Sequence, residues 1–74
     1  MAKLVNLCMS IRELLEKRHG IVKEEELVSY LKSIYGNFSL SDFKRALMIL
    51  ELRGVIYVEW FKRGSKIIRL RRAK

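Results

Sequence analysis

Residues 38–54, FSLSDFKRALMILELRG, carry the signals on which the fold turns. Phe38 and Phe43 stand where a hydrophobic staple would put its two rings. Between them, Ser39 and Asp42 take the N-cap and N3 positions of a capping box. An acid in the first turn also suits the positive end of the helix dipole. Gly54 closes the segment, since glycine enters the left-handed C′ conformation at little cost. The spacing predicts a helix over 40–53. Leu40, Phe43, Ala46, Leu47 and Leu50 gather on one side as its core face, with Ser41, Lys44, Arg45 and Met48 on the other.

Immediately downstream, VIYVEWFKRGSKIIRLRR (55–72) alternates apolar and polar residues and predicts a two-stranded hairpin. Arginine resists positive φ, so Arg63-Gly64 makes a poor two-residue turn, and the loop Arg63-Gly64-Ser65 is expected instead. That loop pairs Lys62 with Lys66 and Trp60 with Ile68. Ile56, Val58, Trp60, Ile68 and Leu70 then form an apolar face that covers the helices. Tyr57, Glu59, Phe61, Ile67, Arg69 and Arg71 form the other face. Glu59 is expected opposite Arg69, Tyr57 opposite Arg71 and Phe61 opposite Ile67. The like-charged Lys62/Lys66 pair is costly at the tip, and a nearby anion would offset it.

Upstream, Leu4, Leu7, Cys8, Ile11, Leu14 and Leu15 recur with helical spacing and predict a first helix over 3–18. Cys8 lies in that stripe and reads as a small buried hydrophobe, with no partner base to make it a nucleophile. Val5 and Met9 fall on a flank. Gly20 ends this helix, and His19 just before it suits the negative end of the dipole. Ile21 and Val22 are enough for a very short strand. A second helix is expected over 23–35, with Glu24, Glu25 and Glu26 in its first turn. Leu27, Leu31 and Ile34, joined by Tyr30, form its core face. Gly36-Asn37 is a short turn into the third helix, of the kind that makes two helices cross steeply.

At 74 residues with half of them hydrophobic, the chain is read as one globular domain, 1–74, near the lower limit for a self-sufficient core. No apolar run reaches the ~20 residues of a membrane span. Lys3 interrupts the N-terminus and no small-residue cleavage site follows, so no signal peptide is expected and the compartment is taken as cytoplasmic. A lone cysteine excludes an internal disulfide and a multi-cysteine metal site. The net charge is +8, and of sixteen Lys and Arg seven fall after residue 61, where no acid stands. Such a field seeks phosphates or another anionic surface. These cations alternate with apolar residues, so they are expected on a folded edge of the hairpin. A membrane-surface role is not expected, because the charges sit on a strand rather than an amphipathic helix. There is no His/Cys/Asp constellation and no glycine-rich phosphate loop. The chain reads as a binding protein rather than an enzyme, with no cofactor or metal.

Helix, short strand, helix, helix and basic hairpin together resemble the winged-helix form of the helix-turn-helix family, over essentially the whole chain. The segment ALMILELRGVIYVEWFKRGSKIIRL carries the likeness. Its Ala46-Leu47, Leu50, Gly54 and Ile56 are similar to the family's spacing at the end of the recognition helix and the start of the wing. The chain is similar to small archaeal winged-helix proteins and to the winged-helix tail of archaeal replicative helicases. The resemblance implies an α+β fold: a three-helix winged helix-turn-helix with a short strand and a C-terminal β-hairpin wing. It also implies a double-stranded DNA-binding protein, a transcriptional regulator or chromatin-associated factor. The third helix would enter the major groove while the wing tip touches backbone or minor groove. Carried over residue by residue, it implicates Ser41, Lys44 and Arg45 on the helix and Lys62, Arg63 and Lys66 at the wing. Arg69, Arg71 and Arg72 would add phosphate contacts. Winged helices also dock proteins. Met48, Ile49 and Leu52 extend the apolar surface round the third helix, and with Val5 and Met9 they offer either more core or a surface for a partner or a second copy.

Overall fold

Three apolar stripes fold as helices, and the β-branched segments between and after them pair into one sheet. In the computed structural model, which describes residues 3–61 and 64–71, α1 spans Leu4–Lys17, β1 Ile21–Lys23 and α2 Glu24–Tyr35. α3 spans Leu40–Leu52, β2 Ile56–Trp60 and β3 Lys66–Leu70. The described residues thus form a small α+β fold, with three helices and a three-stranded antiparallel sheet ordered β1-β3-β2.

Both ends of α3 follow the local signals. Ser39 is extended, and its hydroxyl accepts the Asp42 N–H at 3.3 Å. The Phe38 and Phe43 rings meet with centroids 6.1 Å apart, closing the staple. Gly54 turns the chain at φ 74°, and the next amide, Val55 N–H, returns to the Leu50 carbonyl at 2.9 Å. α1 ends with the equivalent hydrogen bond, but there His19, at φ 60°, rather than a glycine holds the left-handed place that Gly54 has in α3. Gly20, at φ 87°, donates its N–H to the Leu15 carbonyl at 2.6 Å, and its own carbonyl accepts the Leu70 N–H at 2.7 Å. The stop signal of α1 therefore also ties the first helix to β3.

The core lies between the helices and one face of the sheet. Leu7, Ile11, Leu14 and Leu15 of α1 meet Leu27 and Leu31 of α2, and Phe43, Ala46, Leu47 and Leu50 of α3. Val22, Ile56 and Ile68 close it from the sheet. Each fully buried Leu or Ile contributes about 1.5–3 kcal/mol of transfer free energy. A polar contact that sequence reading missed joins α1 to the end of α2. The Tyr35 hydroxyl donates to the Asn6 carbonyl at 3.2 Å and lies 2.6 Å from the Ser10 hydroxyl, which is left to donate to it. Buried Ser10 is thereby satisfied.

Several expectations are corrected. The hairpin pairs Trp60 with Lys66, Val58 with Ile68 and Ile56 with Leu70, two residues away from the expected register. Tyr57 consequently faces Arg69 and Glu59 faces Ile67, while Phe61 N–H bonds the Ser65 carbonyl at 2.8 Å. Lys66 stands opposite Trp60; Lys62, expected as its partner, lies outside the described residues. A slip of two keeps every side chain on its expected face, because the pleat repeats every two residues. The return strand is not an edge. β1 pairs with it through Ile21–Arg69, Val22–Ile68 and Lys23–Ile67, which makes β3 the centre of the sheet. Leu40, expected in the core, is 60% exposed, since it opens the helix beyond the end of the core. Ile34 is also exposed; its neighbour Tyr35 takes the place against the core.

Two substitutions test this account. Ser39→Ala should lower unfolding free energy by about 1 kcal/mol through loss of the cap. Ile68→Ala, at the centre of the sheet, should lower it by about 2–5 kcal/mol. Urea denaturation followed by circular dichroism measures both.

Candidate nucleic-acid interface

With Phe43, Ala46, Leu47 and Leu50 committed to the core, a helix turning about 100° per residue must carry Ser41, Lys44 and Arg45 outward. All three are exposed. Lys44 lies on the margin of α3 nearest the sheet. Together with Met48 and Glu51 it lines one wall of a shallow cleft of about 250 Å³, whose other wall is Val58, Trp60 and Lys66. The outer side of α3 and the hairpin thus share one concave surface.

Lys66 in that cleft is already engaged. Its ammonium is 3.4 Å from the Glu24 carboxylate and 4.3 Å from the centre of the Trp60 ring. It therefore combines an ion pair with a cation–π contact, both partly shielded from water. Trp60 was expected to cover the helices; instead it is 67% exposed. It ends β2 beyond the row Val22–Ile68–Val58 that meets the core, so only Lys66 lies across from it.

Arg69 and Arg71 are elsewhere. Ile68 is fully buried, so the alternation along β3 turns Arg69 to the face away from the helices. There its Nε donates to the Glu59 carboxylate at 2.6 Å, a diagonal contact rather than the expected direct pair. This hydrogen bond holds the guanidinium above its ordinary pKa, against a smaller opposing effect of burial and with further help from the charges of Glu59 and Tyr57. Arg71 is exposed, donates its backbone N–H to the Val55 carbonyl, and borders a broad concavity with His19, Tyr57 and Arg69. Lys62, Arg63 and Arg72 lie outside the described residues. The remaining candidates do not make one surface. Ser41, Lys44, Arg45 and Lys66 are on the helix side and Arg69 is on the reverse, while Arg71, just past β3, borders one concavity with Tyr57 and Arg69 and another with Arg12 and Glu16 of α1.

Sequence reading missed Glu24 as a partner for Lys66, and exposed Lys23 beside β3. Both follow once β1 is laid against β3, a long-range pairing that no local pattern announces. Val5, Met9, Met48 and Leu52 are exposed rather than added to the core, with Leu52 reaching 80%; Ile49 is half-buried. No family model, curated protein or solved structure matches this chain. Among the described residues no group of three or more His, Cys, Asp and Glu is placed to hold a metal ion. No described helix is long and apolar enough to cross a membrane.

Cys8 is half-buried where α1 meets α3, its Sγ 3.9 Å from the Ala46 carbonyl. Burial raises its thiol pKa, and the nearby Arg53 charge only partly opposes this. The thiolate is the reactive form. Iodoacetamide should therefore alkylate Cys8 more slowly than a free cysteine at mildly alkaline pH, and urea should abolish the difference. Mass-spectrometric time courses check this.

Proposed function

We propose that this chain is a winged-helix protein that binds double-stranded DNA, serving as a transcriptional regulator or chromatin-associated factor. The observation that carries this reading is the cleft shared by α3 and the hairpin, with Lys44 on one wall and Lys66 on the other. The element order, with β3 between β1 and β2, also fits a three-helix body with a hairpin wing. The Ser41 hydroxyl and the long cationic Lys44 and Arg45 suit contacts to base edges and phosphates from the first two turns of a groove-seated helix. Met48 and Leu52 follow on the same outer side, so polar readout is confined to that N-terminal half. Lys62 and Arg63 extend the cationic composition of the hairpin loop. Arg69, on the reverse of the sheet, and Arg71, just past β3, are not part of this contact.

Fluorescence anisotropy with labelled duplex DNA tests the proposal. If about five to seven phosphates are engaged, log affinity should fall with log salt at a slope of roughly −4 to −6. Lys44→Ala with Arg45→Ala should flatten that slope by about 2 and weaken binding on all sequences. Arg69→Ala should leave duplex binding unchanged. Salt-independent affinity, or an unaffected α3 double variant, would refute the assignment.

A second reading is favoured by the exposed apolar residues. α1 and α3 pack side by side at Cys8 and Ala46, and Val5, Met9, Met48 and Leu52 lie exposed on these two helices. With half-buried Ile49, the exposed Met48 and Leu52 of α3 offer apolar contacts suited to a protein partner or a second copy, and Val5 and Met9 of α1 offer others. Dimerisation accommodates both readings, because paired modules read paired half-sites. Sedimentation at several concentrations should show association that Leu52→Asp removes. Association without duplex binding at low salt would favour docking over DNA recognition.

A further inference from the structure

We infer that the outer face of the sheet, turned away from the helices, is a second nucleic-acid surface. It takes single-stranded DNA or RNA by stacking bases on Tyr57 and Phe61.

Residues directly opposite one another in an antiparallel pair share a face. The outer face therefore carries two rows, Ile21–Arg69–Tyr57 and Lys23–Ile67–Glu59. Phe61 continues it one residue beyond β2. The helices pack on the other side, against Val22, Ile56 and Ile68, and leave Tyr57 40% and Phe61 47% exposed. The two aromatic residues are four positions apart, about 13 Å along an extended chain. That separation lets two non-adjacent bases stack, one on each ring.

Each ring has a cation beside it. Next to Tyr57 an open concavity of about 770 Å³ is bordered by Arg69, Arg71 and His19. Next to Phe61 a smaller one of about 260 Å³, at the end of the sheet, is bordered by Lys23 and Ile67, by the Lys66–Glu24 ion pair, and also by Glu25. The acid within the sheet rows, Glu59, is engaged by Arg69. A ring with a cation alongside, occurring twice on one flat face, matches what an unpaired strand offers: a free base plane next to a phosphate. A duplex cannot use this face in the same way, because its bases are already stacked. Glu25 makes no ion pair among the described residues and works against an anion at the Phe61 end.

The test is anisotropy of the intact chain with labelled oligothymidylate, oligouridylate and duplex DNA at low salt. Binding of either single strand supports the inference if it depends on the rings, and the two strands separate DNA from RNA as its source. Tyr57→Leu and Phe61→Leu keep apolar strand residues but remove the rings; each should weaken single-strand binding about tenfold, the scale of one lost base stack. Tyr57→Phe should bind like the parent, and Glu25→Gln should bind more tightly. Lys44→Ala with Arg45→Ala should leave single-strand binding unchanged, so loss of the duplex reading would not carry this one with it. Circular dichroism verifies folding of each variant. In the unsubstituted chain, ultraviolet crosslinking to a bromouridine-containing strand should map to Tyr57 or Phe61. The inference is overturned if neither single strand binds, if the leucine variants bind like the parent, or if crosslinks map to α3. Ring-dependent binding to phosphatidylserine vesicles that exceeds binding to the strands, or ring-dependent self-association, overturns it as well.

Discussion

The row Val22, Ile68 and Val58 holds β3 between β1 and β2, and through the pleat it decides where the cations of that strand go. Ile68 has no exposed surface and meets residues from the helices in the core. Once it points inward, Lys66 and Leu70 must share its side, and Arg69 must point the other way. No local charge preference can overrule this, since moving Arg69 to the helix side would bring Ile68 out into water. The basic return strand therefore distributes its charge over two surfaces separated by the thickness of the sheet.

Neighbouring acids divide that charge further. Lys66 is held by Glu24 from the start of α2 and lies on the Trp60 ring. Arg69 is held by Glu59 from the adjacent strand. Both pairs retain solvent contact, so they orient the cations more than they stabilise the fold. Arg18–Glu26 and Arg12–Glu16 likewise occupy cations on exposed helical surface. By contrast Lys44, Arg45, Lys23 and Arg71 are exposed and have no ion-pair partner among the described residues. These four are available to an external anion without first breaking an internal ion pair among the described residues.

What was legible in the sequence was what local chemistry specifies. The staple and cap at Phe38–Phe43, the glycine stops at Gly20 and Gly54, and the two-residue strand seed at Ile21-Val22 act over a few residues and reappear in the fold. The faces of the hairpin were also legible, because period-two alternation survives an even slip in register. The register itself was not. Loop chemistry at Arg63-Gly64 argued for one pairing, whereas the observed one puts Lys66 opposite Trp60 and within reach of Glu24, which lies far away in the chain. The ends of stripes were misread for a related reason. Leu40 and Ile34 have the helical phase of core residues, but phase does not say how far the core extends along a helix. Of the candidate site, the outward face of α3 could be foreseen, while the separation of Arg69 and Arg71 from it required the position of β3 in the sheet.

That separation constrains any account of binding. A ligand seated on α3 and in the cleft by Trp60 approaches from the helix side, where Lys44 and Arg45 are exposed and Lys66 is compensated by Glu24. A ligand reaching Lys23, Tyr57 and Phe61 must approach from the reverse. The sheet lies between the two approaches, and one rigid rod cannot contact both sides of it. Among the described residues of the hairpin, the cations thus fall on two modest surfaces rather than on one strong one. The surfaces also differ in chemistry: hydroxyl and cationic side chains on a helix in one case, exposed rings with flanking cations on a flat sheet in the other. Aromatic planes gain little from a ligand whose own bases are inaccessible, and a convex helix gains little from a ligand without a groove. Shape and side-chain chemistry, more than net charge, are what distinguish the two sides of this small protein.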